Sequence, residues 1–187
     1  RELEEPVIML NHYWDFDENT SLNTNIAYQF GTRGDSRLGY DNAPNPDPTY
    51  YQKLPSFFLG DPNGPNYEQA ENAKLGFQED GQIDWNRMYY TNIAYGGTSR
   101  YYLYEDRSDD NQLSANTIFT KRFDNITLNA AVNYRNLESH NFANMLDLLA
   151  GNGYLDVDSY NYGDRAQSDL NNPDRIIGAG DTFKYNF

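Results

Sequence analysis

Leu22-Asn23-Thr24-Asn25-Ile26-Ala27-Tyr28-Gln29-Phe30-Gly31 is the stretch that decides the fold. Its even positions, Leu22, Thr24, Ile26, Tyr28 and Phe30, are apolar or β-branched, and its odd positions, Asn23, Asn25, Ala27, Gln29 and Gly31, are polar or small. Successive side chains of a strand point to opposite faces, so this period of two describes a strand with one greasy and one wet face. Residues 126–135 repeat it, with Ile126, Leu128, Ala130, Val132 and Tyr134 on one face and Thr127, Asn129, Ala131, Asn133 and Arg135 on the other. Each run has about the 9–11 residues that a tilted strand needs to cross a bilayer.

Working outward, each run follows a short polar turn with another strand candidate before it. Residues 7–16 lead into Asp17-Glu18-Asn19-Thr20, and residues 113–123 lead into Asp124-Asn125. The two hairpins echo each other: Phe16-Asp17, Leu22-Asn23 and Tyr28 in the first are matched by Phe123-Asp124, Leu128-Asn129 and Tyr134 in the second. Two copies this far apart define a shared unit and no short period.

Between the hairpins, roughly residues 32–100 read as one long loop, far beyond the connections usual in a compact domain. Tyr40, Tyr50, Tyr51, Phe57, Phe58, Trp85, Tyr89 and Tyr90 give it area to bury, and Pro44, Pro46 and Pro48 hold part of it extended. Asp84 is placed to cap a short helix presenting Trp85, Met88, Tyr89 and Asn92. After the second hairpin, Asn141 to Ala150 is expected to form another short helix, with Phe142, Met145, Leu146 and Leu149 on one stripe and Gly151 as its stop. Residues 182–187 alternate again as the start of a further strand.

Composition agrees with a boundary between grease and water. Hydrophobic residues make up only 38% of the 187, yet 16% are aromatic, 17 of them Tyr, and such rings suit an interface. The formal charge of −14 lacks the basic footprint that phosphate binding requires, so nucleic acid is not an expected partner. With no Cys there is no disulfide framework, thiolate metal site or Cys nucleophile. No run reaches the roughly 18 apolar residues of a spanning helix, so a membrane crossing would have to be made by strands.

The chemical motifs are sparse. His12 is expected in a strand and His140 in a loop, too little for a metal cluster or a Ser-His-Asp arrangement, so no catalytic, cofactor or metal site is assigned. Asp156, Asp158, Asn161 and Asp164, like Asp106, Asp109 and Asp110, depart from a calcium loop, since Tyr160 and Asn161 stand where an acidic or amide ligand and the turn Gly belong. Asn19-Thr20-Ser21 and Asn125-Ile126-Thr127 match the glycosylation triplet, but both fall in predicted short turns. The aromatic loop residues Tyr50, Tyr51, Trp85 and Tyr89 have two readings, self-packing of the loop and contact with a ligand or partner. Trp14, Phe16 and Phe123, beside the short turns, read as a periplasmic aromatic girdle.

Two further features point to a known family. Asn45-Pro46 through Tyr50-Tyr51-Gln52-Lys53-Leu54-Pro55-Ser56, followed by Gln82-Ile83-Asp84-Trp85-Asn86-Arg87-Met88-Tyr89, resembles a loop of TonB-dependent receptors of the Bacteroidetes. Asp147-Leu148-Leu149-Ala150-Gly151 with Leu155-Asp156-Val157-Asp158, and Gly180-Asp181 with Phe183 and Tyr185, carry the likeness onward in the family's order. The stretch between Gly60 and Gly81 departs from it.

That resemblance implies an all-β chain, part of a transmembrane antiparallel barrel of the roughly 22-stranded receptor type, with long extracellular loops containing short helices. On this expectation the hairpins occupy about residues 6–31 and 112–136, the loops about 32–100 and 137–180, and the next strand begins at 181–187, with the plug outside the chain. It further implies the bacterial outer membrane, import of a bulky nutrient, and outer-membrane lipid, the TonB system (through the plug) and a surface lipoprotein or outer-membrane complex as partners. Two alternatives stand beside it: a barrel that transports nothing and scaffolds an outer-membrane complex, and a soluble carbohydrate-binding β-sandwich, which would suit the mean hydropathy of −0.88.

Overall fold

The computed structural model describes residues 1–159 and 161–183. Strand accounts for 47% of the chain and helix for 20%, so the all-β expectation holds while the connections carry more helix than expected. No helix is long and apolar enough to cross a membrane. The chain divides into two units, one of Arg1–Arg37, Glu105–Asn144 and Thr182–Phe187, the other of Leu38–Tyr104 and Met145–Asp181.

The first unit is a curled antiparallel sheet. Its strands are β1 (Glu2–Glu4), β2 (Val7–Asp17), β3 (Thr20–Tyr40), β4 (Tyr101–Arg122), β5 (Thr127–Asp147) and, after two short strands described below, β8 (Thr182–Phe183). Neighbours run β1-β3-β4-β5-β8, with β2 also on β3, and the outer parts of β3, β4 and β5 belong to the second unit. Both predicted hairpins are present, turned at Glu18-Asn19 and between Arg122 and Thr127. The Arg122 amide donates to Asn19 O at 2.8 Å and the Phe123 amide to Ile126 O at 2.7 Å, which ties the two turns to the ladder.

Register sorts the side chains. Ile8 pairs with Tyr28, Leu10 with Ile26, His12 with Thr24 and Trp14 with Leu22, and directly paired residues share a face. Trp14 lies 4.3 Å from Phe16 and Tyr28 stacks on Phe30 at 5.4 Å, so this face is an aromatic and aliphatic surface crossed by the polar His12 and Thr24. Thr24 meets Thr117 at 3.3 Å and the Tyr28 hydroxyl donates to Asn111 at 3.1 Å, which continues the same face onto β4. The opposite face is bonded through amides and hydroxyls. Asn116 donates to Asn133, Thr120 donates to Asn129 at 2.9 Å, and Arg135 donates to Gln112 at 2.6 and 3.0 Å.

Much of this sheet is exposed among the described residues: all eleven residues of β2 are exposed, Leu10 is 65% exposed and Val132 72%, whereas Gly34, Glu105, Ala143 and Phe183 are buried.

The strands are longer than the alternation suggested. β3 has 21 residues, β4 22 and β5 21, about 70 Å each at roughly 3.3 Å per residue. The loop expected from residue 32 therefore begins after Tyr40, and β4 starts at Tyr101, eleven residues before the expected hairpin boundary at 112. In residues 32–37 the chain is polar on both faces, and what keeps it extended is pairing: Glu2 lies opposite Gly34 and Glu4 opposite Thr32. Arg33 and Arg1 both approach Asp35, at 3.7 and 3.6 Å, and Arg37 pairs with Asp106.

The helix expected at Asn141 to Ala150 is not there: β5 continues to Asp147, and His140 lies in that strand and not in a loop. Ala143 and Met145 are fully buried in alternation, Ala143 pairs with Phe183, and Leu149 and Ala150 adopt φ of 48° and 65°, which no right-handed helix allows. Gly151 accordingly stops no helix. The strand expected at 182–187 is present at Thr182–Phe183; residues 184–187 lie outside the described residues, as does Tyr160.

Gly31 marks the one break between β1 and β2. Its φ is 153° and an added Cβ would sit 1.8 Å from Glu4 O. Gly31→Ala is therefore expected to destabilise the β1–β3 pairing by more than about 1 kcal/mol, the ordinary scale of a left-region substitution, and to raise amide exchange of residues 2–4 in the folded protein. Unchanged exchange there would count against this packing.

Candidate functional site

The second unit is assembled around a helix whose start was legible. Asp84 accepts from the Arg87 amide at 2.9 Å and so caps α3 (Trp85–Tyr95), which follows α1 (Pro55–Leu59) and α2 (Tyr67–Glu79). Gly96, with φ of 67°, closes it in the left-handed region. Met88 and Asn92, one turn apart, are buried, while Trp85 (43%) and Tyr89 (38%) look outward.

Met88 packs with Tyr101 and Leu149, supported by Leu38, Ala43, Ile83 and Leu103. Asn92, 1% exposed, is the polar centre of this core. Its carbonyl oxygen accepts from the Arg100 and Tyr101 amides at 2.8 and 3.1 Å, and its amide nitrogen donates to Tyr101 O, Leu148 O and Leu149 O at 2.8, 3.0 and 2.9 Å. One side chain thus joins α3, the start of β4 and the turn after β5, using every hydrogen-bonding group it owns. Nearby, β6 (Tyr154–Leu155) pairs with β7 (Ile176–Ile177), and Tyr154 stacks on Tyr102 at 4.2 Å. Burial pushes both phenols above the usual tyrosine range.

The four aromatic candidates fall into two pairs. Tyr50 and Tyr51 meet edge to face at 4.8 Å, and Tyr51 continues to Phe57 at 5.8 Å and Phe57 to Phe58 at 5.5 Å, so this pair belongs to a self-packed aromatic chain. Tyr51 nevertheless keeps 57% of its surface exposed. Trp85 and Tyr89 instead share the outward side of α3 with Ile93, 63% exposed. They form an exposed aromatic surface on that helix.

A cleft the sequence reading did not anticipate lies at the foot of α3, lined by Pro44, Asn45, Pro46, Lys53, Asp84, Arg87, Met88 and Tyr101. The Tyr101 hydroxyl donates to Pro44 O at 2.8 Å and so holds the proline turn in place. Asn45 Oδ1 accepts from the Asp47 amide at 2.8 Å, and Asp47 Oδ1 accepts from both the amide and the hydroxyl of Thr49 at 2.7 Å. Those Thr49 bonds hold the Asp47 carboxyl below the usual range. Partial burial and the facing Arg87 guanidinium pull Lys53 below the ordinary lysine range, with Asp47 opposing. Both cations stand inside the motif that carries the family resemblance, the only signal that could have drawn attention to them.

His12 stands edge-on to Trp14 at 6.2 Å, and His140 contacts Glu138 at 3.3 Å. Among the described residues no group of three or more His, Asp or Glu is placed to hold a metal ion. Compared with protein-family models, with curated proteins and with solved structures, the chain matches none.

Proposed function

We propose that the chain forms part of the wall and extracellular vestibule of an outer-membrane receptor of the TonB-dependent type, importing a bulky nutrient. The observation that carries this reading is the two-faced sheet, whose apolar row is largely exposed among the described residues. A row of Ile8, Leu10, Trp14, Leu22, Ile26, Tyr28 and Phe30 exposed to water would be a large apolar patch of the kind soluble monomers avoid. Against acyl chains the same row is satisfied, and the amide-bonded face then lines an aqueous lumen.

Backbone groups in hydrocarbon must pair on both edges, so further strands complete the wall. Five or six strands are fewer than a closed barrel needs, about eight at the least. The short turns would lie toward the periplasm, with Trp14, Phe16 and Phe123 as girdle, and the helical tract between β3 and β4 would form the vestibule.

Expression of the complete gene in a transport-deficient host is expected to give uptake that stops when the inner-membrane proton gradient is collapsed. Absence of such uptake for every nutrient tried would count against the import reading. A non-transporting scaffold is favoured by one observation, the outward Trp85, Tyr89 and Ile93 on α3, which suit docking to a neighbour. A stable outer-membrane complex without energised uptake would decide for it.

A further inference from the structure

We infer that the cleft between the proline turn and α3 binds an oxyanion, a carboxylate or phosphate group carried by a larger molecule. The inference stands on this cleft alone and does not depend on the barrel reading.

The argument is an accounting of donors and acceptors. The Asn45 oxygen is taken by the Asp47 amide, one Asp47 oxygen by Thr49, one Asp84 oxygen by the Arg87 amide, and the Tyr101 hydroxyl is spent on Pro44 O, while the Asp47 charge still acts on Lys53. Of the lining residues, Asn45 keeps its side-chain amide, Lys53 its ammonium and Arg87 its guanidinium as donors. Among the described residues neither Lys53 nor Arg87 forms an ion pair, although the chain carries 28 Asp and Glu against 14 Lys and Arg. Lys53 and Arg87 are both exposed, and the repulsion from Arg87 that helps to lower the lysine's pKa would be relieved by an anion beside both. A planar guanidinium, an ammonium and an amide N–H are the donor types that charge-assisted hydrogen bonding to a carboxylate or phosphate favours. Asp84 lines the same cleft, and its negative charge limits the net positive charge and favours a single oxyanion group over a polyanion.

The test is calorimetric titration of the whole protein in detergent with inorganic phosphate and, separately, with acetate. Saturable binding of at least one probe is expected, weakened about tenfold or more in Lys53→Gln and in Arg87→Gln, the scale of one charge-assisted bond. Lys74→Gln, whose lysine pairs with Glu71 on α2, should bind as the parent does. Lys53→Arg should restore binding, which separates loss of charge from loss of folding. A lipid headgroup as the natural source is shown by weaker phosphate binding in nanodiscs of anionic lipid than in zwitterionic ones; equal binding in both assigns a soluble ligand. No saturable binding of either probe, or equal binding by the parent and the Lys53→Gln, Arg87→Gln double variant, overturns the inference.

Discussion

Ile26→Arg is expected to cost about 2–4 kcal/mol of stability in a bilayer, whereas Asn25→Arg, one residue earlier, is expected to cost about 0–1 kcal/mol. The two positions are adjacent in sequence and opposite in face: Ile26 pairs with Leu10 on the apolar side and Asn25 with Asn11 on the amide side. On the proposed barrel reading, a charge placed beside Leu10 is taken out of water into hydrocarbon, while one beside Asn11 stays in the lumen. Denaturant titration of the whole protein folded into lipid vesicles measures both. Equal costs, or a larger cost for Asn25→Arg, would mean that the assignment of the faces is wrong.

The second large effect is expected at Asn92. Asn92→Ala removes the side-chain partner of the Arg100 and Tyr101 amides and of the Tyr101 and Leu149 carbonyls, while Leu148 O keeps the Ser99 hydroxyl and the Gly151 amide, in a place Asn92 itself shows to be 1% exposed. Each unsatisfied buried group costs about 1–3 kcal/mol, and relaxation recovers part of it, so a net loss of about 3–5 kcal/mol is expected. The loss should be confined to the unit containing α3. Hydrogen exchange should rise at residues 85–95 and 148–151 while the β2–β3 ladder keeps its protection. Asn92→Asp should be nearly as damaging, because it keeps the acceptor, removes the donor and buries a charge. Wild-type exchange at α3 in either variant would contradict the role assigned to this residue.

The sheet was legible because a strict alternation of apolar and polar residues assigns the two faces of a strand. Leu22 to Phe30 could be assigned to faces without knowing any partner, and the observed register supplies the partners that match them. Where both faces of a strand are polar, the alternation vanishes although the ladder goes on. Residues 32–37 and 105–112 therefore read as loop or went unassigned, while pairing and the ion pairs of Asp35 and Asp106 extend the strands.

The stripe Phe142, Met145, Leu146 and Leu149 fits a helical period, yet Ala143 and Met145 fit a period of two as well. Pairing of Ala143 with Phe183, distant in sequence, decides between them.

In the loop the outcome depended on where partners come from. Asp84 announces α3 because a cap is local, three residues from the amide it serves. α2 is equally local, with Asn66 accepting from the Gln69 amide at 3.0 Å, but only Ala70 of its thirteen residues is buried, so no apolar stripe marked it. Asn92 was placed on the right helix, and its role was invisible because three of its acceptors come from Tyr101, Leu148 and Leu149. The cleft around Lys53 and Arg87 was hidden for the same reason: its lining is gathered from residues 44 to 101.

The central claim is that one face of the sheet meets acyl chains. Because this stretch has no Cys, single cysteines carrying a nitroxide can be set in turn at residues 22–30 without a background from it. Collision with lipid-soluble oxygen and with a water-soluble nickel complex is then compared in bilayers. The account predicts oxygen contact at 22, 24, 26, 28 and 30 and nickel contact at 23, 25, 27 and 29, a strict alternation; nickel contact at every position, or contact at none, would contradict it.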